Sequence, residues 1–117
     1  MPEEQCPIFV VDCHVRAAAE LVSHAWDPVV LTALRLGPTR RKDLVAGIAG
    51  ASDKVLYQSL QRLLARGLVA RSRPAGPTAG AAGAIYQLTA LGESFADGPL
   101  SALARWAAEH HAALVDS

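Results

Sequence analysis

The chain has 117 residues, 51% of them apolar, enough for one packed core in a single domain. Eleven basic residues balance eleven acidic ones, and no apolar run approaches the roughly 18 residues that a membrane-spanning helix needs. The start, Met1-Pro2-Glu3-Glu4, carries acids where a secretory signal carries lysine or arginine, so the expected location is the cytoplasm.

Residues 1–12, with Pro2 and Pro7, read as an irregular tail, and residues 13–117 as one domain. A first helix is expected over 13–25, with Val15, Ala18, Ala19 and Val22 on one face. Asp27-Pro28 reads as an N-cap acid followed by a first-turn proline, opening a second helix that ends at Gly37-Pro38. Thr39 reads as the cap of a short third helix with Leu44, Val45 and Ile48 on its apolar side. Gly50-Ala51 is a turn, and Ser52 caps a fourth helix that runs to Arg66 and stops at Gly67, with Leu68 packing back on Leu63. Residues 68–73 and 84–88 read as paired strands around a Gly/Ala/Pro loop. Thr89 opens a further helical stretch, Gly98-Pro99 interrupts it, and a last helix is expected over 99–115. The fold class is therefore mainly α with a small β-hairpin (α+β). Its outline is a winged helix-turn-helix, with the helix-turn-helix at 39–66 and the wing at 68–88.

The charges are not evenly spread. Arg35, Arg40, Arg41, Lys42, Lys54, Arg62, Arg66, Arg71 and Arg73 fall in one stretch that holds two acids, Asp43 and Asp53. The rest of the chain is correspondingly acidic. Such a dipolar chain can turn one basic face to a polyanion. In the fourth helix Leu56, Leu60, Leu63 and Leu64 form the core stripe, and Lys54, Tyr57, Gln58, Gln61 and Arg62 the outer face. A recognition helix reads the major groove with its N-terminal half, which selects Ser52, Asp53, Lys54, Val55 and Gln58. Ser59 and Arg62 lie further along, towards phosphate. Arg40, Arg41 and Lys42 at the start of the preceding helix suit phosphate contacts, and Arg71 and Arg73 at the base of the wing can do the same.

Several short strings then carry a family likeness. They are Cys13, Trp26, the run Val29-Val30-Leu31-Thr32-Ala33-Leu34-Arg35-Leu36-Gly37-Pro38 with its following basic residues, and Ser52-Asp53-Lys54-Val55-Leu56. Gly67-Leu68 with Arg71, Tyr86-Gln87-Leu88-Thr89 with Leu91-Gly92, and Trp106 with His110 complete the set. Together they resemble the HxlR family of winged-helix regulators over most of the chain. The departures are Ser23-His24-Ala25 before Trp26, Arg40-Arg41 before the third helix, a longer wing with an uncharged tip, and Ala84-Ile85 before Tyr86. The resemblance implies a transcription regulator, more commonly a repressor, that binds a roughly palindromic site on double-stranded DNA as a homodimer. It also implies that the first and last helices build the dimer. Leu100, Leu103, Trp106, Ala107 and Leu114 lie along one side of the last helix and fit that role. In some relatives the N-terminal cysteine senses oxidants or electrophiles.

Cys13 corresponds to that cysteine. It lies at an expected helix start, where unpaired N–H groups favour a thiolate, with Arg16 one turn on. Cys6 could act as its resolving partner. His110 and His111 are adjacent and cannot share a helix face, so no metal site is expected. There is no G-x-S-x-G, phosphate loop, CxxC or carboxylate pair in an apolar frame, so neither an enzyme nor a cofactor is expected. Two alternatives remain open: a winged-helix protein–protein interaction module without DNA binding, and a regulator whose small apolar effector lies between the dimer helices against Trp26 and Trp106.

Overall fold

The structure is a computed structural model and describes residues 10–73 and 83–116. Helices α1 (Val10–Leu21), α2 (Trp26–Leu34), α3 (Arg41–Gly47) and α4 (Asp53–Ala65) precede a hairpin of β2 (Val69–Ser72) and β3 (Ile85–Leu88). A two-residue strand β1 (Thr39–Arg40) lies between α2 and α3. After the hairpin come α5 (Ala90–Phe95), a π-helical turn (Ala96–Leu100), α6 (Ser101–Glu109) and α7 (His111–Asp116). Among the described residues no helix is long and apolar enough to cross a membrane.

Helix α2 is central. Val30, Leu31 and Leu34 meet Leu56, Leu60 and Leu63 of α4, with Leu44 and Ile48 below and Leu68, Val69, Tyr86 and Leu100 closing the core. Helix α4 has the boundaries its sequence suggests, because its signals are local. The Ser52 hydroxyl accepts a hydrogen bond from the Val55 N–H at 3.2 Å. At the other end Gly67 adopts φ +76°, and the Leu68 N–H donates to the Leu63 carbonyl at 3.0 Å.

Four local expectations are corrected. Helix α1 runs from Val10 to Leu21 and not over 13–25. Helix α2 starts at Trp26, so Asp27 lies inside its first turn and caps nothing; its side chain is buried. Thr39 does not cap α3. Its hydroxyl donates to the Gly37 carbonyl at 2.8 Å, and Thr39 and Arg40 form the third strand of an antiparallel sheet ordered β1-β3-β2. Thr39 faces Tyr86, and Arg40 faces Ile85 across β3 from Ser72. Finally, Gly98-Pro99 does not interrupt the helix. The π-helical turn carries the chain past Pro99 by re-routing the bonds that proline cannot make, and the break comes later, at His110 (φ −113°, ψ 17°).

Candidate nucleic-acid interface

The helix-turn-helix is α3, the turn around Gly50, and α4, with the β2–β3 hairpin beside it. The Trp26 ring supports the turn from below; a Cβ on Gly50 would lie 3.7 Å from its Cη2. Core residues Leu56, Ser59, Leu60 and Leu63 form one side of α4. Lys54, Tyr57, Gln58 and Gln61 recur at three- and four-residue spacing and are all exposed on the other.

A cleft of about 380 Å³ separates this outer face from the hairpin. Arg40, Arg41 and Lys42 line it from β1 and α3, Asp53 and Tyr57 from α4, and Arg71 and Arg73 from the hairpin base. Residues that the sequence separates by more than thirty positions thus converge, because β1 and β2 flank the same strand β3. Five cations face one carboxylate there. That carboxylate holds Arg41: its Nε lies 3.1 Å from Asp53 Oδ1, and its guanidinium carbon 5.3 Å from the Tyr57 ring centroid. Both side chains of the ion pair are well exposed, so the pair orients Arg41 more than it stabilises the fold.

The remaining candidates fall in different places. Ser52 is exposed and spends its hydroxyl as the α4 cap, and Val55 is half-buried. Ser59 was expected near phosphate and is instead fully buried, donating to Asp27 Oδ1 at 2.6 Å. Arg62 also turns inward. Its Nη2 lies 2.7 Å from Asp27 Oδ1, and its Nε 3.0 Å from Oδ2 and 3.2 Å from Oδ1. These hydrogen bonds raise the Arg62 pKa above its ordinary value, against a smaller opposing effect of burial. Asp27 was missed as a site residue because its partners lie on another helix.

Cys13 is the fourth residue of α1, past the helix start it was expected to occupy, and is disulfide-bonded. Cys6 and the wing tip lie outside the described residues. Leu103, Trp106 and Leu114 are exposed and Ala107 is half-buried, while Leu100 joins the core of its own chain and so leaves the exposed stripe. Among the described residues no group of three His, Cys, Asp or Glu side chains could hold a metal ion.

The profile of the HxlR-like helix-turn-helix family matches residues 21–114. The chain belongs to that family. It is 37% identical over 100 residues to the HTH-type transcriptional regulator YtfH of Escherichia coli, covering 85% of this chain and 75% of that one. The structure of a ytfH regulator from Salmonella typhimurium superposes with TM-score 0.71 at 33% identity, over 87% and 88% of the two chains. Reduced YodB from Bacillus subtilis gives 0.69 at 25% identity, over 79% and 86%. This HxlR-like protein is accordingly a transcriptional regulator and not an enzyme.

Proposed function

We propose that this regulator binds double-stranded DNA as a homodimer, with α4 in the major groove, and that it represses transcription by occupying its operator. The observation that carries the reading is the cleft of five cations continuous with the exposed face of α4. In this reading Arg40, Arg41, Lys42, Arg71 and Arg73 contact phosphate, and Lys54 and Gln58 contact base edges. A module for protein partners alone would gain little from such a concentration of cations.

The test is fluorescence anisotropy on the DNA upstream of its own gene and on random duplex, over a series of salt concentrations. Log affinity should fall linearly with log salt, by roughly 0.9 for each phosphate neutralised. Equal, weak binding to both duplexes would reject the reading. Lys54→Ala is expected to lower operator affinity by about 1–3 kcal/mol and to relax preference at one base position. An unchanged value would remove Lys54 from base readout.

A second layer concerns the input signal. The disulfide at Cys13 favours an oxidation-responsive regulator. YodB, related in sequence and structure, has been seen in reduced, diamide-treated and quinone-bound forms. In this reading a thiol oxidant or quinone is the effector, and the redox state of Cys13 sets operator affinity. Cys13→Ser is expected to bind the operator with the affinity of the reduced protein and to ignore diamide. A variant that still responds to diamide would exclude Cys13 as the sensor.

A further inference from the structure

Asp27 is 1% exposed and Ser59 fully buried, yet both belong to helices that pack as core elements. A buried carboxylate needs its charge and lone pairs met. Here Ser59 Oγ meets one, and the Arg62 fork meets the others from the outer edge of the same helix. Three polar residues thus join the first turn of α2 to α4. An apolar side chain of similar volume would fill the space on α2 with less desolvation. What the ionic set adds is direction: a two-pronged guanidinium–carboxylate contact fixes both the rotation of α4 about its axis and its height along α2.

We infer that the Asp27–Ser59–Arg62 set is a lock that positions the recognition helix, and that Arg62 is a positioning residue and not a phosphate contact. Ser59 and Arg62 point from α4 towards α2, whereas Lys54, Tyr57, Gln58 and Gln61 are among its exposed residues. Moving Arg62 to a phosphate would strand the Asp27 charge in the core, a loss that one screened phosphate contact does not offset. A small rotation of α4 would displace Lys54 and Gln58 together from the base edges they address, which is why the lock bears on specificity. The inference rests on the DNA-binding reading for its consequence, but not for its geometry.

The test uses the full chain carrying Asp27→Asn, Arg62→Lys or Arg62→Gln, with operator and random duplex titrated across the same salt series as the wild type. A lock predicts that Asp27→Asn and Arg62→Lys each lose about tenfold or more in operator affinity, while random-duplex affinity stays within about twofold. It also predicts that Arg62→Gln keeps the wild-type salt slope. A phosphate-binding Arg62 predicts the reverse: Asp27→Asn frees the arginine and holds or tightens binding, Arg62→Lys binds as wild type, and Arg62→Gln lowers the slope by about one unit. That pattern would overturn the inference. The wild-type titration alone decides whether the chain binds DNA. Without any DNA, amide exchange in Asp27→Asn should rise across α4 while β2 and β3 keep their protection. Uniform or unchanged exchange would equally overturn the lock.

Discussion

Gly92→Ala is expected to lower the unfolding free energy by about 2–4 kcal/mol, and the melting temperature by roughly 10 °C, although it adds one methyl group. Gly92 is buried in the first turn of α5, and a Cβ there would run into the carbonyl oxygen of Leu68, with Leu68 C at 3.0 Å and the Leu88 side chain at 3.3 Å. Neither the carbonyl nor its chain can move freely. The Leu68 carbonyl accepts the Thr89 N–H at 3.1 Å, the Thr89 hydroxyl donates to the Gly67 carbonyl at 2.7 Å, and the same hydroxyl accepts the Gly92 N–H at 3.0 Å. The end of α4, the start of β2 and the start of α5 are therefore tied at one point, and the methyl group would have to break a bond or push the strand away. Because these bonds tie the end of α4 to the hairpin, the operator affinity proposed above should fall even at temperatures where the variant is folded. Thermal unfolding followed by circular dichroism, with anisotropy at low temperature, checks both parts. A stability within about 0.5 kcal/mol of wild type would mean that α5 can slide off Leu68 at little cost.

The sequence made the local features legible and left the distant ones dark. Ser52 and Gly67 announce the limits of α4 because their partners, the Val55 N–H and the Leu64 carbonyl, lie within one turn. Thr39-Arg40 looks like a helix cap, since its real partners, Tyr86 and Ile85, are far along the chain. Asp27 before a proline is a common cap, and nothing nearby reveals that Ser59 and Arg62 will claim it. Arg62 in turn resembles any solvent-facing cation on an amphipathic helix until α2 is packed against it. Gly98-Pro99 reads as a break because the rule against proline assumes α-helical bonding, which the π-helical turn abandons. The basic cleft lies between these extremes. Its cations are visible as a cluster, but their convergence depends on β1 and β2 flanking β3.

In the homodimer proposed above, Trp106→Glu is expected to leave a folded monomer that has lost its operator affinity. Helices α6 and α7 carry no buried residue among those described, and Leu103, Trp106, Leu114 and Val115 are all about half exposed or more. Beside them a groove of about 360 Å³ runs between α1 and the π-helical turn, lined by Val15, Ala18, Ala19, Val22, Phe95 and Leu103 among others. A soluble chain seldom leaves so much apolar surface wet, and a second copy laid across the same helices would cover it. In a two-fold interface one substitution acts twice, placing two carboxylates in an apolar contact. Buried aromatic anchors typically contribute 2 kcal/mol or more each, so a shift in dimer dissociation constant of about a thousandfold is expected. The fold of each chain should survive, because Trp106, 51% exposed, stacks only on its surface neighbour His110 at 4.3 Å among the described aromatic contacts. Sedimentation velocity would then report a monomer with an unchanged far-ultraviolet spectrum. On the same reading operator binding would drop towards the level of random DNA, since a helix-turn-helix dimer holds two half-sites one helical turn apart as a rigid pair. A variant that stays dimeric and binds as before would place the interface elsewhere, and would leave the apolar groove by α1 without its second copy.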